Sequence, residues 1–153
     1  MVENSNRFKR VVEATEDIKN GFYRGLDALS SNSKYVSAVE IRKIDGSVDI
    51  DTCTKFLYPN EARWDYTIGY DNRAYFLEIH PANTRNVEEV IRKSKWLDKW
   101  LTEKASLLKS LSANNLFYWV PSGKVNILKS LPQYRRLSQS KIKIVSKLQL
   151  PIV

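Results

Sequence analysis

Two runs of alternating residues on either side of Asp71-Asn72 constrain this 153-residue chain more than any other feature. Trp64, Tyr66, Ile68 and Tyr70 alternate with Asp65, Thr67 and Gly69, and Tyr75, Leu77 and Ile79 alternate with Phe76, Glu78 and His80. A period of two belongs to strands, because successive side chains point to opposite faces of a sheet. Aspartate and asparagine both tolerate positive φ, so the two residues between the runs suit a tight hairpin turn. Such a loop sets the register: Tyr70 opposes Arg73, Thr67 opposes Phe76, and Asp65 opposes Glu78. Pro81 ends the second strand.

The remaining periodicities supply helices and further strands. Phe8, Val11, Val12, Ile18, Phe22, Leu26 and Leu29 share one stripe at helical spacing, which predicts an amphipathic helix over about 6–29 with a break near Gly21. Residues 36–50 read equally as short strands or a further helical turn, with a turn at Asp45-Gly46, and a short helix over 51–58 stops at Pro59. Asn86-Val87-Glu88-Glu89 has the form of a capping box and opens a long helix to about Leu111. Its stripe is Val87, Val90, Ile91, Leu97, Leu101, Leu108 and Leu111, with Arg92, Lys93, Lys95 and Lys99 on a basic flank. The apolar run Leu116 to Val120 predicts a central strand covered on both faces. A short helix from about Lys129 to Leu137 and a late edge strand over 142–150 complete an α/β fold with a mixed sheet.

Length and composition, 42% hydrophobic and 11% aromatic, suit one domain over 1–153 with a real core and exclude a mainly disordered chain. No run approaches a membrane span and no apolar signal region opens the chain, so a cytoplasmic protein without a membrane partner is expected. Cys53 has no internal disulfide partner, and a single histidine excludes a multi-histidine or Cys/His zinc site. Any metal must accept oxygen ligands. There is no glycine-rich phosphate loop and no Ser/His/Asp set, which places a small-molecule enzyme last.

Charge is distributed unevenly. Through Glu103 there are 16 basic and 17 acidic residues, whereas from Lys104 onward there are 9 basic residues and no acid. That acid-free tract, with Lys124, Lys129, Arg135, Arg136, Lys141, Lys143 and Lys147, attracts a polyanion, and phosphate backbones are the commonest one. The plain alternative is a solvated lysine-rich surface.

The acid pair is the chemical feature. Directly opposed side chains in an antiparallel pair have Cβ atoms about 4.5–5.5 Å apart, where like charges repel unless a cation lies between them. Asp65 and Glu78 fall on the face away from Trp64, Tyr66, Leu77 and Ile79 and share it with His80. Two hard oxygen donors suit Mg²⁺, which activates water and neutralises phosphoryl charge. Without a metal the same residues simply flank a solvated face, and Arg63 can pair with a carboxylate.

Asp65 on one strand, Glu78-Ile79-His80 thirteen residues on, then a long helix and a buried strand resemble the PD-(D/E)XK nuclease superfamily over about 64–120. The resemblance implies a restriction-endonuclease-like αβββαβ core, a mixed central sheet flanked by helices, and Mg²⁺- or Mn²⁺-dependent cleavage of DNA. It puts Asp65 and Glu78 in the places of the metal-binding acids, with the Ile79 carbonyl as a further ligand. His80 stands where the family pattern has lysine, and Trp64 where it has proline. Histidine can serve the attacking water as a base but supplies no permanent charge, which Lys95 or Arg92 on the following helix can restore. An additional acid stays open among Glu13, Glu16, Asp17 and Glu40. Lys95, Lys124, Arg135, Arg136, Lys141 and Lys143 are the expected contacts to nucleic acid, and cutting both strands suits a homodimer. The alternative is an inactive nuclease-like fold that binds nucleic acid or another protein.

Overall fold

The structure, a computed structural model, describes residues 6–126 and 132–152. Lys129 and the expected start of its helix lie outside the described residues. The elements are α1 (Arg7–Glu13), β1 (Val36–Ala38), β2 (Ile44–Asp49), α2 (Ile50–Thr54), β3 (Tyr66–Tyr70), β4 (Arg73–Asn83), α3 (Asn86–Glu103), α4 (Ser106–Ser110), β5 (Ser112–Asn126), α5 (Pro132–Gln139), β6 (Ile142–Ile144) and β7 (Leu148–Leu150). Five strands form a mixed sheet in the order β2-β3-β4-β5-β6, antiparallel through β4 and parallel beyond it. A separate parallel pair joins β1 to β7. The fold is α/β, as the periodicities imply.

The hairpin carries the register expected of it. Asp71 and Asn72 sit at φ 51° and 63°, and the ladder runs from Tyr70 opposite Arg73 to Tyr66 opposite Leu77. Alternation then divides the core. Phe76, Phe117 and Trp119 point to one side and pack with Phe8, Val12, Val87, Val90, Leu97, Leu101 and Leu108 from the helices. Tyr66, Ile68, Leu77, Tyr118 and Val120 point to the other, under Leu29, Val36, Leu148 and Leu150. Each fully buried side chain of this size contributes about 2–3 kcal/mol. The run 117–120, at most 5% exposed, is thus covered on both faces and paired on both edges.

Several boundaries differ from expectation. The N-terminal helix ends at Glu13 because Thr15 is extended and its hydroxyl donates to the Val11 carbonyl; a single 3-10 turn follows at Glu16–Ile18. The chain then bends so that Tyr23 exchanges two 2.9 Å backbone hydrogen bonds with Ser47. Residues 36–50 resolve into β1, β2 and a 3-10 turn, with Gly46 inside β2 at an irregularity in its pairing. Pro81 does not end β4, which continues to Asn83 through a register shift between His80 and Ala82 where a missing N–H is tolerated. α3 stops at Glu103, and α4 re-aims Leu108 into the helix-side core. Asn86 is not its cap: the Asn86 Oδ1 accepts from the Asn83 N–H at 3.3 Å. The late strand splits, β6 forming the sheet edge and β7 crossing to β1.

Candidate active site

Trp64 precedes β3 and turns toward the helix side, its ring 5.5 Å from Phe117, so it lies on the opposite side of the sheet from Tyr66. Its expected placement beside Tyr66 is corrected by this turn, while Asp65 and Glu78 stand one step beyond the last pair of the hairpin, Tyr66 and Leu77. The Asp65 N–H donates to Glu78 Oε1 at 3.1 Å, and the Ile79 N–H donates to Asp65 Oδ2 at 3.0 Å. Each carboxylate therefore accepts from the backbone just beyond the last paired residues, and the two acids close the open end of the hairpin.

The partner missed in the sequence is Lys93. Its Nζ lies 2.5 Å from Glu78 Oε2 and 3.8 Å from Asp65 Oδ1. Sequence pattern groups Lys93 with a solvated basic flank because a helical stripe is defined by apolar residues alone. Arg92 and Lys95 remain exposed on α3, and successive helical residues turn by about 100°, so neither shares the face of Lys93. Of the cations on this flank, Lys93 is the one that reaches the two acids.

Burial sets the electrostatics. Glu78 is completely buried, and desolvation, followed by the charge of Asp65, pushes its carboxyl well above the usual range against the opposing pull of Lys93. Burial likewise raises Asp65, opposed by Lys93 and the Ile79 N–H. Burial works to lower Lys93, but the charges of Glu78 and Asp65 outweigh it and hold its ammonium above the ordinary value.

His80 pairs with Glu89, one helical turn before Lys93 and felt by its ammonium, rather than with the two acids. Its Nε2 lies 3.4 Å from Glu89 Oε1, its Nδ1 lies 3.1 Å from the Pro81 carbonyl, and its own carbonyl accepts from Trp119 Nε1. Ile79 contributes its N–H to Asp65 while its side chain packs on the other core cluster. Among the acids left open, Glu16 pairs with Lys19, Glu40 with Arg42 and Lys43, and Asp17 accepts from Tyr58 and Trp100. The further acids whose charge reaches Asp65 are Asp51 and Asp49 instead. Asp49 caps α2 through Thr52, and Asp51 pairs with Arg63 at 2.8 Å. The N-cap pattern Asp49-x-x-Thr52 is the signal that places Asp49 at this point of the chain.

Two carboxylates are hard donors of the kind Mg²⁺ accepts while retaining waters. No cluster of three or more His, Cys, Asp or Glu occurs among the described residues, so protein donors at such a centre would be few.

The expected nucleic-acid contacts divide. Lys95, Lys124, Arg135, Arg136, Lys141 and Lys143 are all exposed, and Arg136 pairs at the surface with Glu88 of α3. Lys124 follows Pro121, the register partner of His80, at the end of β4 and β5 nearer the acids. Lys141 lines a cleft with Asp98 and Lys109 instead. Since Asp98 lies ten residues beyond Glu88 on α3, Arg136 and Lys141 meet that helix at points about 15 Å apart. Comparison with family models, with curated proteins and with solved structures finds no match. No helix among the described residues is long and apolar enough to cross a membrane.

Proposed function

We propose that the protein is a metal-dependent phosphodiesterase acting on DNA. The observation that carries this reading is the ammonium of Lys93, held at two carboxylates that a hairpin has forced together. Asp65 and Glu78 would hold Mg²⁺ or Mn²⁺, with the Ile79 carbonyl as a further donor. The bound cation would lower the pKa of a water and offset charge on the phosphoryl oxygens. Lys93 supplies the permanent positive charge that His80 lacks, at a point where it can orient a water or a phosphate oxygen. With β1, α2 and α4 as additions between them, α1, the strands β2, β3 and β4, then α3 and β5 support a restriction-endonuclease-like αβββαβ core. DNA is the polyanion that the acid-free C-terminal third would attract.

The second reading, an inactive scaffold that binds nucleic acid or protein, is favoured by the same contact seen differently. At 2.5 Å, Lys93 already neutralises Glu78 without any metal. Cleavage of plasmid and single-stranded DNA in Mg²⁺, Mn²⁺ or EDTA separates the two. The proposal expects metal-dependent cleavage that falls at least about 100-fold in Asp65→Ala, Glu78→Ala and Lys93→Met, the scale of removing an electrostatic or acid–base group. His80→Ala should lose less than about tenfold, since His80 is turned to Glu89. Salt-sensitive DNA retention with no cleavage in any metal would leave the scaffold reading.

A further inference from the structure

The loop that leads into Asp65 displays two apolar side chains to solvent. Phe56 is 87% exposed and Leu57 is 56% exposed, yet the backbone that carries them is firmly tied. The Leu57 and Tyr58 N–H groups both donate to the Thr54 carbonyl, at 3.0 and 2.9 Å. Arg63 Nη1 donates to the Tyr58 carbonyl at 2.7 Å and to that of Glu61 at 3.3 Å, while its Nε holds Asp51. The Tyr58 hydroxyl donates to Asp17 at 2.6 Å, and its ring packs edge-on against Trp96. Phe56 and Leu57 are adjacent, so together they present a small apolar surface on a backbone that is held in place.

Position identifies the partner. The first two N–H groups of α2, Ile50 and Asp51, donate to the Asp65 carbonyl at 2.8 and 3.4 Å. α2 has five residues and rises about 7 Å, and Phe56 lies two residues beyond its end. Arg63 closes the other side of the loop two residues before Asp65. The segment is therefore tied through α2 to the backbone of Asp65, one of the two residues proposed to hold the metal, and Arg63 ties its other side to α2 through Asp51. Lys55 stands over the Phe56 ring with its Nζ 5.3 Å from the centroid, so a cation accompanies the aromatic face. An aromatic ring paired with a cation, beside a phosphodiester site, is the combination that stacks an unpaired base and holds its phosphate.

Resting on the nuclease reading, we infer that Phe56, seconded by Leu57, stacks on an unpaired base beside the scissile phosphate, so that the substrate is single-stranded DNA or a single-stranded branch rather than continuous duplex. Duplex bases are already stacked on each other and offer this ring no open face except at an end.

The test measures binding separately from cleavage. In EDTA, fluorescence anisotropy of a labelled single-stranded 20-mer and of the matching duplex is compared for wild type, Phe56→Ala and Leu57→Ala, with circular dichroism as the check on folding. Both side chains are exposed, so the variants keep the fold. Phe56→Ala should weaken single-strand binding about tenfold and change duplex binding less than about twofold, the scale of removing one base–aromatic stack. A single strand carrying 2-aminopurine should change its fluorescence on binding wild type and not Phe56→Ala. Equal losses on both substrates, or none, overturn the inference, as does a Phe56→Ala defect confined to self-association in sedimentation. Cleavage by wild type in Mg²⁺ with no effect of Phe56→Ala would sink the stacking role and spare the nuclease. The predicted strand preference without cleavage would do the reverse.

Discussion

Lys93 holds together two carboxylates whose burial drives them toward the neutral form, and stability should register that. Because Glu78 and Asp65 are raised in the folded chain, the native state binds more protons than the unfolded state above the ordinary carboxylate range. Stability contributed here therefore falls as pH rises from about 4.5 toward the raised value of Glu78. Lys93 limits the fall. Lys93→Met should destabilise the more strongly the higher the pH, by up to about 3 kcal/mol where the buried acids would be left ionised without a counter-charge. At pH 5, where Glu78 can keep its proton, the cost should be much smaller. Urea unfolding at pH 5 and pH 8 measures this, and an equal cost at both would show that Lys93 does not compensate the acids. The acid pair itself is readable from one turn and one parity, since a two-residue hairpin leaves a single register. Lys93 is not, because helix periodicity reports which residues are apolar and says nothing about which charged residue faces a buried charge.

Among the elements, β3 shows how closely the helix layer rests on the sheet. A Cβ at Gly69 would lie 2.3 Å from the Phe8 ring of α1, far inside contact distance, so glycine here is a matter of space rather than of backbone freedom. Gly69→Ala should destabilise by about 1–3 kcal/mol, and Phe8→Leu in the same chain should recover part of that loss in a double-mutant cycle. Additive costs would place the strain elsewhere. The hairpin and the buried strand at 117–120 are legible in the sequence because period two and an unbroken apolar run each admit few structures. The N-terminal stripe misleads for an instructive reason: Phe8, Val12 and Ile18 are all buried as a helix would bury them, but a bend after Thr15 achieves this with one short helix and a 3-10 turn. Pro81 reads as a stop because the irregularity that accommodates it depends on β5, a partner forty residues away in sequence.

For the molecule as a whole, charge and position have to be considered together. Arg136 and Lys141 meet α3 at different points, and Arg136 is paired with Glu88. Neutralising Lys124 and Arg135 should weaken DNA binding more than neutralising Lys141 and Lys143. Every side chain that truly touches a phosphate should, once neutralised, lower the slope of log K against log salt by about 1. Identical effects of the two pairs would mean a diffuse field rather than a tracked backbone.

The two-residue turn also imposes an order in time. Asp65 and Glu78 are brought together by a local hairpin, a structure that closes in about 1–10 μs. Lys93 reaches them only when α3 docks, and α3 belongs to a crossover whose parallel strands meet across a long loop and therefore late. Contact order thus predicts an interval of assembly in which the two carboxylates face each other with no ammonium beside them, which refolding of Lys93→Met at an unchanged rate would support and a slowed one would overturn. A divalent cation arriving in that interval would meet less competition than one arriving after the fold is complete.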